Sequence, residues 1–188
     1  MFAMPGELHY DVEYPPRLSR WLLFLKWLLV IPHLIVLYFM YFMQSVVSFL
    51  AWWAILFVGH YPRGLWGFSM MVLRWNANVT AYYMLQRDDY PPFGEGAYPV
   101  TFAMEYPPRQ SRLLIFFRGL LLIPHFLVVW VLLFAYGLVL FIAWFAILLL
   151  GRFPRGMFDF VVGVQRWMYR VQVYFYLLTD RYPPFSMD

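Results

Sequence analysis

The feature that most constrains this chain is that most of its sequence occurs twice. A shift of 92 positions aligns residues 13–93 with residues 105–185 without a gap, and 39 of the 81 aligned positions are identical. Short motifs recur in the same order, namely Tyr-Pro-Pro-Arg, Ile-Pro-His, Ala-Trp, Pro-Arg-Gly and Tyr-Pro-Pro-Phe. A duplicated unit predicts two structurally similar halves that are related by a pseudo-twofold axis.

The duplication divides the chain into a first repeat (1–93), a linker with a short strand (94–104) and a second repeat (105–188). Residues 7–13 and 98–105 alternate partly in polarity and end at a Tyr-Pro-Pro motif, where proline forces extended backbone. This pattern predicts a short strand before each copy, and the two strands could pair across the halves.

Composition indicates that both repeats lie in a membrane. Hydrophobic residues make up 63% of the chain, aromatic residues 23% and charged residues 13%. A soluble domain of this size cannot hide so much apolar surface. Two stretches of 26 residues, 34–59 and 126–151, contain no ionisable side chain, and each is long enough as a helix to cross a hydrocarbon core of about 30 Å.

The number of crossings in each repeat leaves two interpretations. In the first, each apolar stretch is a membrane hairpin that turns at Gln44-Ser45 or at Tyr136-Gly137. In the second, residues 18–31 lie at the interface and Pro32 redirects the chain into one long, tilted span.

Charge placement favours the hairpin, because all the flanking arginines then lie on one side of the membrane. These are Arg17, Arg20, Arg63, Arg87, Arg109, Arg112, Arg155 and Arg181. This topology predicts a multi-pass chain with both termini in the cytoplasm. Lys26 and Arg118 would then lie inside the span and extend back to the cytoplasmic surface.

A further helical stretch follows Pro-Arg-Gly in each copy, over residues 65–85 and 157–178. Asp159, Gly163, Arg166 and Arg170 share one face of the second stretch, which predicts an amphipathic helix in the headgroup layer. The predicted fold class is therefore an all-α membrane protein. Each copy is a transmembrane helical hairpin plus an interfacial amphipathic helix, preceded by a short strand.

His33 and His125 are the sharpest candidate site, since both copies retain them and an ionisable group within a membrane span is a functional hypothesis. Two neutral imidazoles could ligate the metal of a haem or chlorin. They could instead line a proton or substrate pathway. The structural alternative, which we favour, is a local hydrogen bond beside Pro32 and Pro124, which each free a backbone carbonyl.

Four arginines are candidate ligands for lipid headgroups: Arg63, Arg155, Arg74 and Arg166. Arg63 and Arg155 of the Pro-Arg-Gly motifs could bind a lipid phosphate or could serve only as topology anchors. Arg74 with Arg166, and Asp88 with Asp180, are also retained between the copies, and for these residues we expect structural ion pairs or helix caps rather than catalysis.

The sequence points away from catalysis. It contains no cysteine, no phosphate-binding glycine loop, no metal-ligand cluster and no carboxylate pair at a fixed short spacing. We therefore expect a non-enzymatic scaffold or accessory subunit, with the lipid bilayer and other membrane subunits or further copies of the chain as partners. We expect no nucleic acid and no cofactor apart from the tetrapyrrole alternative. The alternatives are a transporter or binder of a lipidic solute and a bis-histidine tetrapyrrole subunit.

The ordered motifs Tyr-Pro-Pro-Arg, Leu-Ser-Arg-Trp, Ile-Pro-His, Pro-Arg-Gly and Tyr-Pro-Pro-Phe resemble those of an uncharacterised family of bacterial membrane proteins that is described as a domain of unknown function. The resemblance covers residues 13–188. The second copy departs from Leu-Ser-Arg-Trp, with Gln110-Ser111-Arg112-Leu113 in its place. The resemblance implies a bacterial cell membrane and supplies no activity and no catalytic residues.

Overall fold

The computed structural model of the protein describes residues 6–188 and is mostly helical. In chain order the elements are β1 (His9–Val12), α1 (Leu22–Leu29), α2 (Ile31–Val58), α3 (Arg63–Tyr83), β2 (Val100–Ala103), α4 (Leu114–Leu150) and α5 (Arg155–Phe175). One strand, one long apolar helical stretch and one shorter helix thus recur in each half.

The two predicted strands form and pair with each other in antiparallel orientation. The register joins Tyr10 to Phe102, which are equivalent residues of the two repeats, and the pairs on either side are arranged symmetrically about them. The pseudo-twofold axis therefore passes through the centre of this ladder. One face of the ladder is buried, whereas His9, Asp11 and Thr101 are exposed on the other face.

The predicted membrane hairpins are wrong. Helix α2 runs without a turn through Gln44 and Ser45, and α4 runs through Tyr136 and Gly137. Only a brief interruption at Val30 separates α1 from α2, just before Pro32, which occupies the first turn of α2, where its missing N–H breaks no bond. In the second repeat Pro124 lies inside the continuous helix.

The polar residues at the expected turns find partners that leave the helix intact. Gln44 donates to the hydroxyl of Ser48 at 3.0 Å, and Ser45 donates to the carbonyl of Tyr41 at 3.0 Å. These bonds join residues one helical turn apart, so neither side chain requires the chain to reverse. Both long helices end instead at a glycine with positive φ, Gly59 at 83° and Gly151 at 68°.

The two long helical stretches run antiparallel, with the start of one beside the end of the other. The amide of Leu18 donates to the carbonyl of Gly151 at 2.8 Å, and that of Gln110 donates to the carbonyl of Gly59 at 2.9 Å. Aromatic contacts repeat this pattern further along the helices. The ring centroids of Phe24 and Trp144 are 5.4 Å apart, and those of Trp52 and Phe116 are 5.2 Å apart. Because the pseudo-twofold axis relates antiparallel helices, it lies roughly perpendicular to them.

Helices α3 and α5 are amphipathic, as predicted, and they lie between the long helices and the ladder. Their polar faces meet the strands: Arg74 donates to the carbonyl of Phe102 at 3.2 Å, and Arg166 donates to that of Tyr10 at 2.8 Å. Each strand thus contacts the amphipathic helix of the other repeat. The opposite face of α5 carries apolar residues such as Met168 and Phe175.

The exposed surface of the long helices is apolar along its whole length. Residues such as Tyr38, Trp130 and Phe134 are 74%, 77% and 80% exposed at mid-helix. In α2 the buried residues, from His33 to Ile55, follow one narrow stripe, so about half of the helix circumference remains uncovered. By length and apolar composition, the two stretches Leu22–Val58 and Leu114–Leu150 could each cross a membrane.

The register of the ladder gives a direct prediction. His9 and Ala103 are opposite each other on the exposed face, so the double substitution His9→Cys with Ala103→Cys is expected to form a disulfide on mild oxidation. The chain has no other cysteine, so a mobility change on a non-reducing gel reports the bond. The control pairs Asp11→Cys with Ala103→Cys, which are offset by two residues. Equal cross-linking of both pairs would contradict the register.

Candidate functional site

Each histidine that both copies retain lies in a closed aromatic niche of its own repeat. His33 and His125 are fully buried, and the Nδ1 atom of each accepts the indole N–H of a tryptophan, Trp75 at 3.1 Å and Trp167 at 3.0 Å. Phe93 stacks on the His33 ring at 3.9 Å between centroids. The equivalent residue of the second repeat, Phe185, stacks on His125 at the same distance. Since Nδ1 is the acceptor, a neutral imidazole carries its proton on Nε2.

This geometry agrees with a structural role for both histidines. The two rings belong to separate hydrophobic clusters, one around Trp75 and Tyr82 and one around Trp167 and Tyr174. An imidazole ligates a metal through a nitrogen in the ring plane, and the Nδ1 atom of each ring is already occupied by a tryptophan N–H. The bis-histidine tetrapyrrole hypothesis therefore gains no support from the described residues.

The prediction that Lys26 and Arg118 extend to the cytoplasmic surface is wrong. Both side chains are buried in ion pairs. The ammonium of Lys26 lies 2.8 Å from the carboxylate of Asp88 and donates to the carbonyl of Arg87 at 2.6 Å. At the equivalent positions Arg118 pairs with Asp180. Lys26 and Arg118 are only 2% and 3% exposed, so their charges depend on these partners.

The same two carboxylates also hold the segment that precedes each long helical stretch. Asp88 accepts the backbone N–H of Ser19, and Asp180 accepts that of Ser111. The expected structural ion pairs are confirmed. Neither aspartate caps a helix, because Ser19 and Ser111 lie ahead of the first residues of α1 and α4, and these bonds hold the preceding segments instead. The end of each repeat is thereby fastened to its own beginning.

Arg74 and Arg166, two of the four predicted lipid-binding arginines, bond to the strands and to the chain segments near them. Arg74 pairs with Glu95 at 3.0 Å in addition to its bond to β2. Arg166 bonds the carbonyl of Met187 at 2.8 Å and pairs with Asp11 at 3.3 Å. These contacts confirm the expected structural ion pairs of both arginines and tie each amphipathic helix to a strand, while their binding to lipid headgroups stays a prediction.

Arg63 and Arg155 remain exposed at opposite ends of the molecule. Each guanidinium lies over a tyrosine of the other repeat, Arg63 over Tyr106 at 5.3 Å and Arg155 over Tyr14 at 4.6 Å from the ring centroid. Arg155 also forms an exposed ion pair with Asp159 at 3.0 Å. Further basic residues surround the two ends: Arg17, Arg20 and Arg152 at one end, and Arg109 and Arg112 at the other.

A cavity of about 530 Å³ lies between α3, α4 and α5. Most of its lining is apolar, contributed by Phe126, Val129, Leu133, Met168, Val171 and Phe175. The polar residues in its lining are Asn76, Thr80, Tyr136, Gln165, Tyr169 and Gln172. Its volume falls in the range of small-molecule sites, roughly 300–1,000 Å³.

Hydrogen bonds already connect the polar groups of this cavity to the protein. Tyr10 donates to the Oε1 atom of Gln165 at 2.8 Å, and the amide of Gln165 donates to the hydroxyl of Tyr136 at 2.9 Å. Tyr169 donates to Asn76 at 3.2 Å. Burial raises the pKa of Tyr10 and of Tyr169 above the ordinary value, so both phenols stay protonated and act as donors at neutral pH.

The sequence analysis missed the tryptophan partners of the histidines and the acidic partners of Lys26 and Arg118. Both sets were present as a signal, because the duplication retains each partner at the same separation in both copies. It also missed the cavity. No periodicity in the sequence predicts it, since its walls come from three helices that belong to two different repeats.

The buried ion pair gives a stability prediction. Asp88→Asn leaves the buried ammonium of Lys26 without its carboxylate and is expected to cost about 3 kcal/mol, at the low end for a buried pair because Asp88 is itself 28% exposed. Thermal unfolding in detergent measures the loss. The matched control Asp89→Asn breaks an exposed pair, with Asp89 60% exposed, and is expected to cost less than about 1 kcal/mol. Equal melting temperatures for the two variants would be incompatible with the assigned role.

The chain belongs to the family described as "Domain of unknown function (DUF4389)", whose family model matches it twice, over residues 20–94 and 112–187. The two matches correspond to the two halves of the duplication. Searches of curated proteins and of solved structures found no match to the chain.

Proposed function

We propose that this protein is a non-enzymatic membrane scaffold whose two long helical stretches lie in the plane of the bilayer, embedded from one side. The observation that carries the proposal is the arrangement of its surfaces. The exposed faces of the long helices are apolar throughout, whereas the polar ladder lies on the pseudo-twofold axis that is roughly perpendicular to them.

Two vertical crossings fit this arrangement poorly. Each stretch has 37 residues, about 55 Å of helix against about 30 Å of hydrocarbon core. The ladder sits at the centre of the antiparallel pair, so crossing helices would hold its exposed residues, such as His9 and Asp11, at mid-membrane depth. Polar and charged groups exposed to lipid at that depth are costly.

The in-plane arrangement keeps the exposed polar residues of the ladder out of the hydrocarbon core. With the pseudo-twofold axis along the membrane normal, equivalent residues of the two repeats lie at equal depth. The ladder faces water and the apolar sides of α1, α2 and α4 face hydrocarbon. Arg63 and Arg155 then occupy the headgroup region at the two ends, where cations are attracted to anionic lipid.

This arrangement supports the cytoplasmic side of a bacterial inner membrane as the location. β1 lies in the polar layer, and the C-terminal residues Met187 and Asp188 pack there against α5. The whole basic surface is then on one side, in keeping with the positive-inside rule. In this proposal the chain is embedded in the membrane without crossing it. Both termini would then lie on the cytoplasmic side, as the sequence predicts.

A scaffold role is supported by how the interior polar groups are used. The histidines, the buried cations and Arg74 and Arg166 are all engaged in holding helices and strands together. Transport gains less support, because both histidines are enclosed by aromatic side chains of their own repeats and Gln44 bonds to Ser48 within its own helix. We propose other membrane subunits or further copies of the chain as partners of the apolar faces.

Labelling of single cysteines tests the placement. Arg63→Cys and Arg155→Cys are expected to react with a membrane-impermeant maleimide from the same side, in inside-out vesicles and not in intact cells. The reason is that both ends lie at equal depth in the in-plane arrangement. Tyr38→Cys and Trp130→Cys, which are central on the apolar faces, are expected to stay unreactive from both sides. Reaction of the two arginine positions from opposite sides would show that the helices cross the membrane.

Assembly tests the scaffold role separately. After extraction in a mild detergent, mass photometry is expected to find the chain in a complex of fixed stoichiometry, either with a partner subunit or with itself. Phe134→Arg, which places a charge on the apolar face, is expected to reduce the complex. The control Thr101→Arg changes the exposed face of the ladder and should leave it intact. A single chain at every protein concentration would contradict the role.

A further inference from the structure

We propose that the cavity between α3, α4 and α5 holds one hydrocarbon chain of a bilayer lipid. This inference rests on the in-plane membrane placement proposed above. The walls that define the cavity are long apolar side chains, notably Phe126, Val129, Met168 and Phe175, and its volume is about 530 Å³. A flexible apolar ligand is the chemistry that such walls recognise.

The polar groups of the cavity do not call for a polar ligand. Both ends of the Gln165 amide are bonded, to Tyr10 and to Tyr136, and the Tyr169 hydroxyl donates to Asn76. The amide of Gln172 donates to the hydroxyl of Tyr41 at 3.3 Å. A headgroup placed here would have to compete with these bonds, whereas a hydrocarbon chain leaves them in place.

The cavity opens on the surface that faces lipid in the proposed placement. Phe126, Leu133 and Phe175 line it and are also 49%, 40% and 53% exposed, so its walls continue into the apolar exterior. A chain from the surrounding bilayer could therefore enter without passing through water. The source of the ligand is thus a membrane lipid, with the headgroup outside the cavity.

The duplication supplies an internal comparison, because the equivalent place in the first repeat is filled by the protein. The counterpart of Leu133 is Tyr41, whose ring is half-buried and reaches α5, where its hydroxyl meets Gln172 and its ring lies 6.5 Å from that of Tyr176. In the second repeat leucine replaces this tyrosine. On the facing wall of the cavity, at the end of α3 and just after it, Thr80 and Met84 are the counterparts of Gln172 and Tyr176 and are smaller than them. The space that Tyr41 fills on one side is left to a ligand on the other.

Photo-cross-linking tests the site. The full chain is placed in nanodiscs of phosphatidylethanolamine and phosphatidylglycerol that include a phosphatidylglycerol with a diazirine at the end of one acyl chain. After irradiation, mass spectrometry is expected to find adducts on Val171 and Tyr136, which line the cavity and are only 7% exposed. Leu133→Tyr copies the first repeat and is expected to lower these adducts at least fivefold.

Leu138→Tyr is the matched control, since this exposed leucine of α4 lies outside the cavity and its substitution should leave the adducts unchanged. If Leu133→Tyr does not fold, as judged by its thermal unfolding, Val129→Phe fills the cavity from another position and is expected to give the same loss. The proposal is overturned if the filled variants keep the wild-type adducts. It is also overturned if adducts occur only on exposed residues such as Leu127. Cysteine labelling decides the membrane placement independently, so a failure of the cavity proposal can be told apart from a failure of the placement on which it rests.

Discussion

The structure depends on an exchange of contacts between the two repeats. The segment that precedes each long helical stretch packs on the Pro-Arg-Gly corner of the other copy. Tyr14 donates to the carbonyl of Phe153, Tyr106 donates to that of Tyr61, and the amides of Leu18 and Gln110 bond the glycines that end the opposite helices. Each helix end therefore finds its backbone partner in the other repeat. This reciprocity forces the long helices to run antiparallel and places the strand ladder on the pseudo-twofold axis.

An antiparallel pair with a central polar ladder has one apolar side and one polar side, and this division organises the rest of the molecule. Charged residues are either exposed in the polar layer or paired inside it, as Lys26 is with Asp88. The long helices keep an uncovered apolar face, since nothing within residues 6–188 packs against it. Lipid is the medium in which such a face is stable, and the in-plane placement lets every exposed polar group reach water.

The sequence predicts the duplication, the paired strands and the amphipathic helices, because each depends on a local or repeated pattern. The predicted turn at Gln44-Ser45 is wrong, because a polar pair in an apolar run can form a turn or can bond within a helix. Only the three-dimensional partners of the two side chains distinguish these cases. Lys26 was misjudged for a related reason, since Asp88 lies far along the chain. The ion pair could have been inferred from the second copy, where Arg118 and Asp180 keep the same two charges at the same separation. The cavity beside Leu133 depends on packing between three helices, which no single-sequence pattern encodes.

The central claim is that the long helices lie in the membrane plane, and their orientation can be measured directly. Polarised infrared spectroscopy of the protein in aligned bilayers reports the mean angle between helix axes and the membrane normal through the dichroism of the amide I band. We expect an angle close to 90°, because α1, α2 and α4 contribute most of the helical residues. A mean helix axis near the normal would contradict the account, and the two long helices would then have to be assigned to opposite crossings.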